Sequence, residues 1–410
     1  MAQLNITLNQ EEILGLLQDS SSEAFKKLLQ ESLNGLLKVE SSERLQAERY
    51  ERTEKRTDSR NGTRERPLVT RLGKIELKVP RHRDVPFRTL VFENYKRSEA
   101  ALVTTMAEMV VAGVSTAKVG RVMEELCGTS YSKQAVSEAC KVLDKSVEEF
   151  RTRPLEDEYY FVIADATYLK VRENHRIVGK ALQTAMAINA KGVKEIIGVS
   201  LADIESYESW KRFLGSLRQR GLKHMYMFTS DAHEGLVSAL HEIYPDVPWQ
   251  RCQEHFRRNI TDDVPKTMKP GLRSELIEMF NCETLEQARA KRDEIFADYG
   301  GKFPKAMETL DLGFDDAMTV LLLPQSMRRC TRTSNYLERF NREIKRRANV
   351  IGIFPNGDSV IRQMGALLME EHERWATKRK LYYMPAGQEL KEKAQVLIDL
   401  AHEQGRLAKV

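Results

Sequence analysis

Apolar residues along the chain keep helical spacing at first, turn strand-like after Pro154, and return to helical spacing from about Pro265. Leu14, Leu16 and Leu17 precede a serine-rich break at Ser20-Ser21-Ser22. Phe25, Leu28, Leu29, Leu33, Leu36 and Leu37 then recur at steps of three and four. That spacing predicts an amphipathic helix whose stripe needs a partner, from this chain or a second copy. The expectation is a dimer contact. Leu68-Val69-Thr70-Arg71 and Ile75-Glu76-Leu77-Lys78-Val79, joined by Leu72-Gly73-Lys74, predict a β-hairpin. Three helical stretches follow, over 100–112, 116–126 and 133–150. Gly113 and Gly128 are stops, and Ser115 and the Ser130-Tyr131-Ser132 stretch are caps.

Beyond Pro154 the pattern predicts strands at 159–171, 180–190 and 194–202, a helix at 207–220, a fourth strand at 225–229 and a helix at 232–243. Strand-strand-strand-helix-strand-helix is the order of a ribonuclease-H-like core. Helical segments at 272–280, 285–299, 304–310 and 316–323 read as an all-α insertion. A basic helix at 336–347 and a final pair near 361–380 and 388–404 close the chain. The expected fold class is an α/β ribonuclease-H-like catalytic core with an all-α insertion, preceded by helical and helix-turn-helix DNA-binding modules. The expected division is 1–58 helical, 59–97 basic hairpin, 98–153 helix-turn-helix, 154–262 first part of the core, 263–330 insertion, and 331–410 final core helix and C-terminal helices.

Charge sharpens the N-terminal half. The net charge of +5 is mild, but positive residues gather between Arg60 and Arg97, including Lys78, Arg81, Arg83, Arg88, Lys96 and Arg97. A charge run is commonly a solvated face. Placed before a helix-turn-helix pattern, it points to DNA phosphates, which dominate DNA affinity. In that geometry the start of the third helix enters the major groove, so Ser132, Lys133, Gln134 and Ser137 are the candidates for base edges. An ordinary helical bundle shares the same pattern. Five cysteines at wide spacing without a CxxC pair argue for reduced thiols and a cytoplasmic, nucleoid-associated protein. No apolar run nears the ~20 residues of a membrane span.

The candidate chemistry is carboxylate. Asp165 follows the apolar run Tyr160-Phe161-Val162-Ile163-Ala164, where an ionised Asp is costly unless paired. It is either an ion-paired strand-end acid or a metal ligand. Asp231 ends the fourth strand, and Glu338 lies in the first turn of the helix after the insertion. In a ribonuclease-H-like sheet the first and fourth strands are neighbours, so the two aspartates face one cleft and a late helix brings the third acid. Such hard oxygen ligands suit Mg²⁺ or Mn²⁺, as a pair of ions. Asp203, Glu205 and Glu208 rival this set but read better as acids before a helix start. Glu343 rivals Glu338 but points to another helical face and is expected to pair with Arg339 or Arg347. Glu234 reads as a helix-start acid. Cys252 and His255 have metal-like spacing, but a zinc site needs two more ligands and none is nearby in sequence. A packed Cys and hydrogen-bonded His, or support for an active-site acid, are the other readings. Arg339, Arg342, Lys345, Arg346 and Arg347 lie on several faces of the Glu338 helix, some near DNA and others solvated. Trp210 reads as core, and Trp249 and Trp375 as packing rather than base-stacking residues.

Four blocks carry a resemblance. Asp165-Ala166-Thr167-Tyr168-Leu169-Lys170-Val171-Arg172, Ser230-Asp231-Ala232-His233-Glu234-Gly235-Leu236, Arg251-Cys252-Gln253-Glu254-His255-Phe256 and Arg332-Thr333-Ser334-Asn335-Tyr336-Leu337-Glu338-Arg339-Phe340-Asn341 resemble signature blocks of the Mutator-type transposases of bacterial insertion sequences. Arg60-Asn61-Gly62 and Leu77-Lys78-Val79-Pro80-Arg81 resemble their N-terminal region. The resemblance implies a DDE triad at Asp165, Asp231 and Glu338 with divalent metal. It also implies binding of double-stranded DNA at terminal inverted repeats, and strand transfer into target DNA. Holding two ends together implies a homodimer. A non-catalytic DNA-binding regulator that kept the fold, and a plain metal-dependent nuclease, are the competing classes.

Overall fold

The computed structural model describes residues 22–70, 73–89, 100–127, 130–156, 158–377 and 384–407. Leu14, Leu16, Leu17, Ser20, Ser21, Arg71, Leu72, Lys96, Arg97, Gly128 and positions 378–380 lie outside them. The chain divides after Leu143 into two compact units.

In the first unit, α1 (Ser22–Leu45) precedes a hairpin of β1 (Arg60–Thr70) and β2 (Gly73–His82). The strands are antiparallel with Leu68 opposite Ile75 and Glu65 opposite Lys78. Period-two alternation buries Ile75, Leu77 and Val79 and exposes Lys74, Glu76 and Lys78. Leu37 joins Leu68, Ile75, Leu77, Val79 and Phe87 in one apolar cluster, with Leu29 and Leu33 packed on it. The α1 stripe therefore has a partner within its own chain.

α2 (Ala100–Val111), α3 (Thr116–Cys127) and α4 (Lys133–Ala139) share a second cluster around Met106, Val119, Met123 and Val136. Gly113 has φ +89°, and the amides of Gly113 and Val114 close onto the carbonyls of Val110 and Met109, ending α2 as its glycine predicts. Ser115 and Ser132 cap the next two helices, accepting from the amides of Lys118 and Ala135. The expected unbroken helix over 133–150 is instead α4, a 3₁₀ turn at Cys140–Val142, and α5 (Leu143–Thr152). The two halves serve different cores. Val136 and Cys140 are buried among the three helices, whereas Val147 lies against Gly365.

The second unit is mixed α/β. β3 (Phe161–Glu173), β4 (Arg176–Ile188) and β5 (Lys194–Ala202) form an antiparallel meander. A two-residue turn joins the first pair, with Asn174 and His175 at positive φ. α6 (Tyr207–Gln219), β6 (Met227–Ser230), α7 (Glu234–Ile243), β7 (Trp249–Arg251) and α8 (Gln253–Asp262) follow. The sheet order is β5-β4-β3-β6-β7, with β3, β6 and β7 parallel. β7 is too short to show a period and escaped the sequence reading.

Over residues 161–164 both faces of β3 are buried, as its apolar run requires, while beyond it one face is exposed at Tyr168, Lys170 and Arg172. Phe161 and Ile163 face a cluster with Leu337, Phe340 and Ile344, while Val162 and Ala164 face one with Trp210, Leu214, Leu236 and Leu240.

α9 (Lys269–Phe280), α10 (Leu285–Tyr299) and α11 (Pro304–Met318) build a separate helical cluster around Phe256, Leu276, Ile295, Leu310 and Phe314. The expected break between 310 and 316 is absent, since α11 runs through Gly313. A Cβ there would come within 2.5 Å of the Phe256 ring, so this glycine permits close packing instead of ending a helix. α12 (Gln325–Thr331), α13 (Asn335–Ile351), α14 (Gly357–Ala376), α15 (Met384–Glu392) and α16 (Ala394–Leu407) complete the chain. The expected 388–404 helix is thus two, α15 and α16. Gln404 bonds both the amide and the carbonyl of Trp249, tying α16 to β7. Among the described residues no helix is long and apolar enough to cross a membrane.

Candidate active site

Parallel pairing sets the first two acids side by side. Ile163 of β3 lies opposite Thr229 of β6. Asp165 and Asp231 each come two residues later, Asp231 just past the end of β6, so both follow from the same paired level of the sheet. β3 continues to Glu173 beyond the end of β6, which places Asp165 inside its strand, opposite Thr184 of β4.

The third acid arrives through a stitched loop. Thr229 Oγ1 donates to the Thr331 carbonyl at 2.7 Å, and the Gln253 amide donates to the Arg332 carbonyl at 3.0 Å. The Ser334 amide donates to Cys252 Sγ at 3.3 Å, with Ser334 Oγ 3.2 Å from the same sulfur. These bonds tie the start of α13 to β6 and to the start of α8. Glu338 stands in the first turn of α13, where the helix dipole favours an acid. One turn on, Asn341 donates from Nδ2 to Asp165 Oδ2 at 2.8 Å.

The site is electrostatically linked. Burial is the largest cause raising Asp165 to about 6; the Asp231 and Glu338 charges add to it, and His255 opposes it. The neighbouring Cys252 thiol, then the Asp165 and Glu338 charges, hold His255 up at about 9 against desolvation. His255 Nε2 is 3.4 Å from Glu338 Oε1, and Arg258 Nη2 is 3.1 Å from Oε2. His255 and Arg258 are three apart on α8, so one face of that helix holds Glu338 with positive charge.

Asp165, Asp231, Glu338, Cys252 and His255 therefore gather in one neighbourhood. Cys252 is fully buried and bonded to Ser334, and His255 is turned to Glu338. Among the described residues no group of three or more His, Cys, Asp or Glu stands close enough together to hold a metal.

The rival acids separate. Glu343 takes both Arg346 at 2.7 Å and Arg347 at 2.6 Å and is held down at about 2, first by Arg346. Asp203 pairs with Lys180 at 2.8 Å. Glu208 and Glu234 lie in helix first turns. Glu205 accepts from Trp210 Nε1 at 3.2 Å. Burial first, then the Asp231 charge, raises its carboxyl, against His233 and the Trp210 bond.

The candidate DNA contacts divide as well. Lys78, Arg81, Arg83, Lys133 and Gln134 are exposed, as are Arg339, Arg342 and Lys345. Arg60 is committed locally, donating to Ser42 Oγ at 2.8 Å and to the Ala47 and Glu48 carbonyls. The hairpin's outer face is mixed, since Glu76 pairs with Lys74 at 3.1 Å and Glu65 lies opposite Lys78. Ser132 is exposed with its hydroxyl capping α4, and Ser137 is half-buried. Arg346 is neutralised by Glu343. Trp210, Trp249 and Trp375 are all buried.

Sequence reasoning missed Asn341, Arg258 and Ser334. Spacing carried a signal for two of them: Asn341 is three residues from Glu338, and Arg258 three from His255. Ser334 is visible only through its long-range bonds to Cys252.

The family model for "Transposase, Mutator family" matches residues 1–378. The transposase of insertion sequence element IS256 in transposon Tn4001 from Staphylococcus aureus is 40% identical over 93% of this chain and 99% of its own. That of ISRM5 from Rhizobium meliloti is 37% identical over 92% and 94%, and that of IS1081 from Mycobacterium tuberculosis 36% over 89% and 88%. The solved Drosophila P element transposase strand transfer complex is far more distant, at 10% identity and a TM-score of 0.28 over 71% of this chain and 84% of that one, too weak to bear on the fold. The chain belongs to the Mutator family of transposases.

Proposed function

We propose that this protein is the DNA transposase of a bacterial insertion sequence, with a ribonuclease-H-like core and a DDE triad of Asp165, Asp231 and Glu338. It binds the element's terminal inverted repeats, cuts a phosphodiester there, and joins the freed 3′-hydroxyl to target DNA. The observation that carries this reading is the matched register of Asp165 and Asp231, with the Glu338 charge felt at Asp165. α2, α3 and α4 act as the helix-turn-helix module, with Lys133 and Gln134 at the groove and the hairpin's Lys78, Arg81 and Arg83 on phosphates. Two ends held together call for a homodimer.

The donor set fits Mg²⁺ or Mn²⁺ in kind. The acids are hard oxygen donors whose mutual repulsion a divalent cation relieves. Asn341 Oδ1 is also buried without a hydrogen-bond partner beside Asp165, an oxygen with a free lone pair. Asp165, Asp231 and Glu338 would hold the ions. Divalent cations held there would supply activation of a water or 3′-hydroxyl and stabilisation of the leaving oxygen. The protein's own residues do the positioning. Asn341 orients Asp165, Cys252 and Ser334 fix the start of α13, and Arg258 and His255 hold Glu338 before cation and DNA arrive.

The test is direct. Purified protein with Mg²⁺ and DNA carrying the element's end is expected to nick or join strands, and Asp165→Asn to abolish this with binding intact. Undiminished cleavage by that variant refutes the triad. Binding without cleavage by the native protein under either metal points to a regulator.

A further inference from the structure

Beside the first turn of α13 lies a cleft of about 540 Å³ between the helical insertion and the core, lined by Arg257, Arg273, Arg329, Arg332, Arg339 and Tyr336. Its volume falls within the ~300–1,000 Å³ of ligand sites. Five guanidiniums converge here against one acid, Glu254, which pairs with Arg257 at 2.5 Å. Among the described residues the other four meet no carboxylate.

Arg332 is half-buried, and Nη1 donates to Asn281 Oδ1 at 2.8 Å, so the fork is held in place and not left to solvent. Desolvation and then the charge of Arg329 disfavour its protonated form, the imbalance that an anion would relieve. Planar forks of this kind match phosphate oxygens in pairs. Tyr336 is half-buried and lines the cleft with Lys194 Nζ 4.1 Å from its ring centroid, a ring already paired with a cation, and amides of Asn281 and Asn335 line the cleft as donors and acceptors. Phosphate recognition, an aromatic ring and amide edges together are the chemistry of a nucleotide site.

We propose that this cleft receives an unpaired nucleotide of the DNA strand, next to the acid-bearing turn, with its phosphate on Arg329 and Arg332 and its base against Tyr336. The proposal rests on the transposase reading. It adds that the enzyme recognises a frayed or extruded end, and not only duplex. Arg332 follows Arg329 by three positions, and Tyr336 and Arg339 of the cleft flank Glu338 along the same first turns of α13.

The test is binding without chemistry, in EDTA, so a failure of the catalytic reading leaves it readable. Fluorescence anisotropy compares an end-bearing duplex that is blunt with one carrying a short single-stranded overhang. Native protein is expected to bind the overhang roughly ten-fold more tightly, in line with stacking of one base. Tyr336→Leu and the double variant Arg329→Ala/Arg332→Ala are expected to lose that preference while keeping blunt-duplex affinity. Equal affinity of the native protein for both duplexes overturns the proposal, as does a parallel loss for both in folded variants. A second measurement needs no variant: 2-aminopurine in the overhang is expected to be quenched on binding, and unchanged emission at saturation overturns the proposal.

Discussion

Asn341 Nδ2 donates to Asp165 Oδ2 at 2.8 Å, a bond between residues 176 positions apart that joins α13 to the centre of the sheet. Glu338 rides on the same helix face, one turn earlier, so this bond sets how α13 presents its acid to the aspartates. A hydrogen bond to a charged group is worth about 1.5–3 kcal/mol. Asn341→Ala is expected to lower strand-cleavage kcat at least ten-fold with little change in DNA affinity. A loss of affinity with kcat unchanged would assign Asn341 to DNA binding instead.

Asp165 is ionised at a cost to stability. Its carboxyl is raised from 3.8 to about 6, chiefly by burial, so the folded protein resists its ionisation. A raised acid destabilises the fold once ionised; the cost is absent below about pH 4 and complete above about pH 6. Asp165→Asn is expected to stabilise the metal-free protein by about 1–3 kcal/mol at pH 8 and to abolish cleavage. Thermal unfolding across pH 4–8 checks this, and the gap between the two proteins must close at the acid end.

His255 runs the other way. It is held at about 9, against 6.5 when unfolded. Its contribution is fully present below about pH 6.5 and is lost as pH rises through about 9. His255→Gln is expected to lower stability by about 1–3 kcal/mol at pH 6.5 and by much less at pH 10. A difference independent of pH, read from urea unfolding at both values, would make His255 a packing residue only.

Gly235 is the second residue of α7, and a Cβ there would lie 2.5 Å from the Tyr207 amide nitrogen and 2.9 Å from the Ser206 carbonyl carbon. Both are backbone atoms at the start of α6, which have little room to yield. Gly235→Ala is expected to cost about 1–3 kcal/mol and to lower the melting temperature. An unchanged melting temperature would mean that α6 and α7 separate freely.

The sequence by itself determined the elements whose periodicity is long and one-sided. The α1 stripe, the alternation of β2 and the apolar run of β3 each state which face is buried, because burial of those side chains is what stabilises the element. The candidate acids stood out unequally: Asp165 because an Asp after an apolar run is uncommon, and Glu338 only through the block around it, since an acid in a helix's first turn is ordinary. Tertiary structure alone decided what touches them. Asn341 finds Asp165, Ser334 finds Cys252 and Arg258 finds Glu338 only after the sheet has ordered its strands and the loop before α13 has bonded to β6. Those pairings depend on register and on bonds between distant residues, for which local spacing carries no record. The same holds for Gly313, where neighbouring Phe256 makes a glycine necessary inside a helix, and for Arg60, whose charge is used within its own unit. A side chain's period shows that it faces inward or outward, while its partner is fixed only by the packing of the whole unit.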